Sequence, residues 1–225
     1  MSAASASRFT WRRTSVLITS GPTREYLDPV RYLTNASSGR MGRELAVAAL
    51  RRGARVTVVS GPSEVPPPPG ARVVRVLTAG QMRRQTLRLA RSAGLVIGAA
   101  AVADWRFSSV SRRKLKRGPS PLRLTLVPNP DIIKEAAALA HRRGPAVAVG
   151  FALETARGLG PARRKLRSKG LDLVVANGPS AVGALRSRFD LVGRDRTTRL
   201  GLVTKREAAE RILALAGELL RGKNG

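Results

Sequence analysis

The chain of 225 residues contains no cysteine, one histidine and few aromatics: two Trp, two Tyr and four Phe. Without cysteine there is no disulfide, no thiolate nucleophile and no cysteine-based zinc site. A single histidine, His141, excludes a histidine-rich metal centre and leaves a Ser-His-Asp triad only one candidate base. Acidic residues are scarce too, 14 Asp and Glu against 42 Lys and Arg, for a formal net charge of +28. No apolar stretch reaches the ~18 residues of a membrane span, so the reading is a cytoplasmic protein without membrane contact. The bases are 35 Arg and 7 Lys, scattered with no arm and no run of five. Scatter without interleaved aromatics or a recognition helix speaks for solubility and association, not for a specific nucleic-acid surface.

A hydrophobic fraction of 43% is ordinary for a globular chain, and this length suits one α/β domain, expected over 14–221. Residues 1–13 are rich in Ser and Ala, carry three Arg and no acid, and read as a disordered tail. Short runs of Val, Ile, Leu and Ala at 16–20, 55–60, 73–77, 95–102, 146–153 and 171–176 predict strands covered on both faces. Helical periodicity appears at 40–52, 79–93, 130–142, 163–169 and 205–220. In the first helix Met41, Leu45, Ala48 and Ala49 form the apolar stripe, and Gly53 supplies the stop. Alternation at this spacing implies βαβ units and a doubly wound, mainly parallel sheet, Rossmann-like in layout. Residues 65–70 hold four consecutive prolines, a stiff connector. Residues 105–121 are Ser-, Lys- and Arg-rich and read as a mobile basic loop before a short strand at 122–127. The pattern weakens over 179–204, where an antiparallel hairpin is expected at one edge.

Open parallel sheets bind ligands at the carboxyl ends of their strands. After the first strand a dinucleotide fingerprint would place Gly-x-Gly-x-x-Gly in a tight turn. Here residues 21–39 intervene, carrying Arg31 and Asn35 to the turn Ser37-Ser38-Gly39 before the helix. That turn offers hydroxyls, free N–H groups and a positive dipole end to a phosphate, although Ser-Ser-Gly alone would read as an ordinary helix cap. After the strand at 95–102, Gly98, Ala99 and Ala100 are small enough for a ligand to approach the backbone, and Asp104 leaves the strand end as a cation or hydroxyl ligand, or as a cap. Lys114 lies in the basic loop, where a lysine can close over a polyphosphate. Pro130, Asp131, Ile132 and Ile133 open a helix at another strand end. Phe151 either stacks a base or fills the core. Lys165 and Lys169 share one helix face at i,i+4, a spacing found more often in surface decoration than in a site. His141, beside Arg142 and Arg143, reads as exposed and uninvolved.

Six motifs then stand in order: Gly-Pro-Thr-Arg-Glu at 21–25, Asp-Pro-Val-Arg-Tyr at 28–32, Asn-x-Ser-Ser-Gly-x-Met-Gly at 35–42, Ala-Ala-Val-Ala-Asp at 100–104, Asn-Pro-Asp-Ile at 129–132 and Gly-Phe-Ala-x-Glu-Thr at 150–155. Together they resemble the phosphopantothenoylcysteine synthetase family of coenzyme A biosynthesis, in its bacterial, CTP-using form, over about 16–220. The resemblance implies a ligase that joins 4′-phosphopantothenate to L-cysteine through an acyl-cytidylate, with release of pyrophosphate and assistance from Mg²⁺. It implies catalytic roles for Asn35 in the second step and Lys114 in the first. It assigns Arg31, Asn35, Ser37, Ser38 and Gly39 to phosphopantothenate. To CTP it assigns Gly98, Ala99, Ala100, Asp104, Lys114, Pro130, Asp131, Ile132, Ile133, Phe151, Lys165 and Lys169. It further implies a homodimer, with 179–204 as the pairing edge, and no flavin here, the flavin-dependent decarboxylase being a separate chain or the other half of a fusion. One departure is Gly178 after Ala176-Asn177, where the family usually has Asp. An NAD(P)-dependent Rossmann reductase is the enzymatic alternative, opposed by the missing glycine fingerprint; a basic nucleic-acid-binding module is the non-enzymatic one.

Overall fold

The computed structural model describes residues 9–153, 158–181 and 183–224. In chain order the strands are β1 (Ser15–Ser20), β2 (Arg24–Tyr26), β3 (Tyr32–Thr34), β4 (Arg55–Ser60), β5 (Arg72–Arg75), β6 (Leu95–Gly98), β7 (Trp105–Phe107), β8 (Leu126–Pro128), β9 (Val147–Leu153), β10 (Leu173–Asn177), β11 (Arg186–Val192) and β12 (Thr197–Thr204). The helices are α1 (Arg40–Arg51), α2 (Ala79–Ala90), α3 (Ile132–Arg143), α4 (Gly160–Ser168) and α5 (Lys205–Asn224). Eight strands form one sheet in the order β12-β11-β10-β9-β6-β1-β4-β5, parallel from β10 to β5, with β11 and β12 antiparallel at one end. From β1 the chain first winds outward through β4 to β5, then returns to the other side for β6, β9 and β10. The expected doubly wound sheet is therefore present, with its order reversing between β1 and β6.

The central strands are almost wholly apolar because both faces are covered. On one face α1 and α5 pack Leu45, Ala49, Ile212 and Leu213 over Ile18, Val58 and Ile97. On the other, α2, α3 and α4 bury Met82, Ala136 and Leu166 over Leu17, Val96 and Val174. A bidentate pair from Arg83 to Glu135, with contacts of 2.7–3.1 Å, ties α2 to α3.

Several expectations are corrected. The disorder expected over 1–13 does not hold for its described part, because Trp11–Arg13 form a 3₁₀ turn, and Phe9 and Trp11, edge-to-face with each other, pack against the α1–α5 core. The strand expected to 102 ends at Gly98, since the chain there follows the bend of the β1 loop, with Ala101 N bonding Gly21 O. Residues 105–107 are strand, pairing with β8. The strand expected at 122–127 is only Leu126–Pro128, with Leu122 and Leu124 left exposed. The small antiparallel pair of β2 and β3 was not foreseen. The hairpin expected within 179–204 is β11 and β12.

His141 is not free at the surface. Its Nε2 lies 2.9 Å from Asp172 Oδ2, and the same carboxylate accepts from Ala148 N at 2.8 Å and from Lys223 Nζ at 2.7 Å. Asp172 is only 3% exposed and so staples α3, β9 and the end of α5 at the amino-terminal edge of the sheet. Burial pushes its carboxyl up, but His141, Lys223 and the Ala148 N–H together hold it below the ordinary 3.8. A depressed carboxyl stabilises the fold above its unfolded value and loses that contribution as pH falls through its folded value. Asp172→Asn is expected to cost about 3 kcal/mol at neutral pH. Urea unfolding should show this deficit constant from neutral to mildly acid pH, then shrinking once the pH falls below 3.8.

Candidate functional site

Where the strand order reverses, a cleft of about 1030 Å³ opens at the carboxyl ends of β1 and β6. This is at the upper end for a single small-molecule site, and is room for more than one substrate. Its walls are the turn 35–42, the segment 98–105 and the run 128–133. Phe151, Leu153, Lys165, Lys169, Asn177, Phe189 and Lys205 are among the other residues that line it.

The turn before α1 is built for an anion. Gly39 is the N-cap with φ of 76° and no side-chain cap, so the ordinary serine cap is not what forms. A Cβ on Gly39 would stand 2.7 Å from Ser63 Cβ, and one on Gly42 would stand 2.1 Å from Ser20 Oγ. Only glycine lets the turn seat against the proline connector and the helix abut the end of β1. The connector supports the turn from behind, Val65 N bonding Ser38 O at 3.0 Å. The Ser37 and Ser38 hydroxyls sit at 3.4 Å from Gly39 N and Arg40 N, long contacts that leave them available to a ligand. The N–H groups of Met41 and Gly42 have no intrahelical acceptor.

Asn35 bridges the two walls, its Nδ2 donating to Val102 O at 2.9 Å, which leaves Oδ1 and a second N–H for a ligand. Gly98, Ala99 and Ala100 line the cleft, and Asp104 stands exposed at its rim. Asp131 caps α3 by accepting from Lys134 N at 3.2 Å and pairs with Lys169 Nζ at 2.7 Å. Its carboxylate is thus partly committed to the fold. Lys165 Nζ donates to Phe151 O, and Phe151 both packs on the core and faces the cleft. Pro130, Ile132 and Ile133 line the same wall. Glu154 and Thr155 of the sixth motif lie outside the described residues. Asn177 reaches the cleft, while Gly178 behind it accepts from Ala181 N at 3.0 Å in a 3₁₀ turn.

Two expected site residues stand outside the cleft lining. Arg31 binds Asp28 through Nε at 3.0 Å and a terminal nitrogen at 2.5 Å, and donates to Leu115 O at 2.7 Å. Asp28 is fully buried, and it also accepts from Val30 N, Arg31 N and Leu115 N. The Arg31 guanidinium, against the opposing effect of burial and with help from the three N–H groups, holds the Asp28 carboxyl far below the usual carboxylate range. The pair latches the basic loop at Leu115, beside Lys114, so the segment read as mobile is anchored at this point. Lys114 itself is exposed and its side chain does not reach the cleft wall.

The first motif proves to be scaffolding. Thr23 Oγ1 accepts from Ala103 N at 3.0 Å, Glu25 Oε1 caps α2 through Ala79 N at 2.8 Å, and the Arg24 guanidinium lies 4.6 Å from the Tyr32 ring centre. These contacts fold the 21–39 excursion back onto the sheet. Two cleft cations, Arg40 and Lys205, were missed. Arg40 read as helix surface. Lys205 opens a helix through the capping box Thr204-x-x-Glu207, a signal legible in the sequence, but nothing there said that β12 ends at the same edge as β1. The end of β4 carries Ser60 and Gly61, with no carboxylate for a dinucleotide ribose, which weighs against the reductase reading. No helix among the described residues is long and apolar enough to cross a membrane.

Residues 11–219 match the sequence profile of the DNA/pantothenate metabolism flavoprotein C-terminal domain. The Escherichia coli K12 coenzyme A biosynthesis bifunctional protein CoaBC is 47% identical over 166 residues, 72% of this chain and 40% of that protein. The Bacillus subtilis CoaBC is 44% identical over 170 residues, 75% of this chain and 41% of that protein. The chain thus spans less than half the length of these relatives. Among solved structures, the C-terminal domain of a CoaBC superposes with a TM-score of 0.79 at 34% identity, covering 93% of this chain and 97% of that one. A Cab2 variant in complex with phosphopantothenate-cysteine shares the fold, with a TM-score of 0.77 at 19% identity over 95% of this chain and 90% of that one.

The latch makes a local prediction. In Asp28→Ala, hydrogen exchange at the Leu115 amide and its neighbours is expected to accelerate by roughly tenfold or more, with protection of β1 and β6 retained. Unchanged exchange at Leu115 would show that Asp28 does not hold the loop.

Proposed function

The chain belongs to the DNA/pantothenate metabolism flavoprotein C-terminal domain family, and on that premise we propose that it is a CTP-dependent phosphopantothenate–cysteine ligase. The observation that carries the reading is the charge layout of the cleft. One cationic group, Arg40 and Lys205 with the open end of α1, belongs to the layer of α1 and α5. The other, Lys165 on α4 and Lys169 at its C-cap, belongs to the opposite layer. Asn35 and the small residues 98–100 lie between them. A site of this kind suits two anionic substrates that meet at their reactive ends, a phosphorylated acid and a nucleoside triphosphate.

In the first step a carboxylate oxygen of phosphopantothenate attacks the α-phosphorus of CTP, the bond to the β-phosphate breaks, and pyrophosphate leaves. Lys165 and Lys169 hold the triphosphate, and Lys114, its exposed side chain turning inward from the loop latched by Asp28 and Arg31, neutralises charge as it builds on the departing phosphates. Gly98, Ala99 and Ala100 allow close approach of the nucleotide to the backbone, Pro130, Asp131, Ile132 and Ile133 bound its far side, and Phe151 gives it an apolar surface. In the second step the amine of cysteine attacks the acyl carbon, CMP leaves with the former carboxylate oxygen, and a proton passes to solvent. Asn35, steered by Val102 O, holds the acyl group for that attack. Ser37, Ser38 and Gly39 hold phosphopantothenate, and Arg31 acts on it through the loop. Positioning and charge neutralisation suffice for this chemistry, so it needs no histidine or cysteine on the protein.

Mg²⁺ belongs to the same proposal, supplying charge neutralisation on the triphosphate. Among the described residues no three metal-ligating side chains cluster, which suits an ion bound mostly by phosphate oxygens and waters. Asp104, at the rim and with no ion-pair or hydrogen-bond partner for its carboxylate among the described residues, is the side chain that would take it, with Asp131 second. A flavin-dependent decarboxylase, fused or separate, is the proposed consumer of the product. Cytoplasmic placement, a homodimer involving the edge strand β12 and no specific nucleic-acid partner complete the reading.

Pyrophosphate release should require phosphopantothenate, Mg²⁺ and a nucleoside triphosphate together, with CTP favoured when all four are compared, and amide should form on adding L-cysteine. Lys114→Gln is expected to slow pyrophosphate release by roughly 10²-fold. Asn35→Asp should instead release pyrophosphate and accumulate acyl-cytidylate. Quenched-flow measurement of both steps checks this division, and equal losses at both steps in both variants would contradict it.

A further inference from the structure

Lys205 is buried in a way that calls for a counter-ion. The residue is only 8% exposed, faces the cleft, and has no carboxylate or carbonyl partner among the described residues. Buried ammonium groups are ordinarily paired. The charged group that acts on this one is Arg40, of the same sign, and burial followed by Arg40 pushes the Lys205 pKa down from its ordinary value.

The fold arranges this deliberately. Strand β12 is antiparallel to β11, which is antiparallel to β10, so β12 ends at the same edge as β1. Helix α5 therefore starts where α1 starts and packs alongside it. At its first turn Thr204 N donates to Glu207 Oε2 at 2.7 Å and Glu207 N donates to Thr204 Oγ1 at 3.1 Å. This cap satisfies the helix end without using Lys205, whose side chain is left facing the cleft. Two cations and the uncapped N-terminus of α1 thus share one end of the cleft, and among the described residues no carboxylate pairs with Lys205 there.

We propose that Lys205, with Arg40 and the N-terminus of α1, is the seat of a phosphate monoester, and that Lys205 is the residue by which the site selects phosphopantothenate over unphosphorylated pantothenate. This rests on the ligase reading above and adds to it a specificity-determining residue. The Ser37-Ser38-Gly39 turn supplies neutral donors, whereas Lys205 supplies the buried charge that a phosphate rewards and a hydroxyl does not. A neutral alcohol at that place would leave both cations uncompensated, which is the source of discrimination.

The test is steady-state ligation by the full chain, with the other substrates saturating. Lys205→Gln should raise KM for phosphopantothenate by roughly 30- to 100-fold, leave KM for CTP within about twofold, and narrow the preference over pantothenate by a similar factor. Lys205→Arg should recover most of the loss. An unchanged KM for phosphopantothenate, or an equal rise in KM for CTP, would overturn the proposal, the second outcome assigning Lys205 to the triphosphate. If Lys205→Gln does not fold, acetylation of wild-type Lys205, followed by mass spectrometry, decides. Protection by phosphopantothenate but not by pantothenate supports the seat, and equal protection or none overturns it. If the wild-type chain forms no amide with any of the four nucleoside triphosphates, the ligase reading fails by itself. The same acetylation comparison then still judges the phosphate seat.

Discussion

Two adjacent parallel strands that send their crossovers in opposite directions cannot close the gap at their carboxyl ends. Between β1 and β6 this reversal leaves the cleft, and most other features of the molecule follow from how that opening is lined. Because residues 21–39 depart from one side of it, they must be folded back, and Thr23, Glu25 and the buried Asp28 provide the anchors. Because α1 must start beside the opening, Gly39 and Gly42 are required where any side chain would strike Ser63 or Ser20. The site is therefore made of backbone ends and loop anchors on a rigid sheet, and its catalytic power would come from placement and charge more than from proton transfer.

Charge has two distinct meanings in this chain. Most of the excess behind the net +28 is dispersed arginine, which affects solubility and the capture of anions in general. A few cations are placed by the fold. Lys165 on α4 is held by Phe151 O, and Lys169 at its C-cap by Asp131. Arg31 is consumed by Asp28, so its charge serves the loop that carries Lys114. Lys205 is the unusual one, buried, lacking a counter-ion among the described residues and facing the cleft. The distinction between a scattered cation and a placed one is what separates a sticky surface from a substrate site.

The sheet and its helices were legible because their signals are local: apolar runs for strands covered on both faces, 3.6-residue periodicity for α1, and Gly53 as its stop. The cleft was legible in part, because strand ends and a glycine-containing turn mark it. Asn35, Ser37, Gly39, Gly98, Asp104, Phe151, Lys165 and Lys169 all line it. What was not legible depended on long-range pairing. Trp105–Phe107 had no apolar run to mark it as a strand, and it forms one only because Leu126–Pro128 comes alongside. His141 looked exposed among arginines, yet Asp172, 31 residues later, receives it. Arg31 looked like a ligand although Asp28 stands three residues before it, because the burial of that pair depends on Leu115, 84 residues from Arg31. Lys205 could not be assigned to the cleft before the direction of β12 was known.

The central claim is that the cleft activates a carboxylate as its nucleotidyl anhydride, and the fate of one oxygen tests it. Phosphopantothenate labelled with ¹⁸O in its carboxylate would be turned over with CTP and L-cysteine, and the products weighed by mass spectrometry. The account predicts one labelled oxygen in CMP and none in pyrophosphate. Label in inorganic phosphate, or none in any nucleotide product, would contradict it.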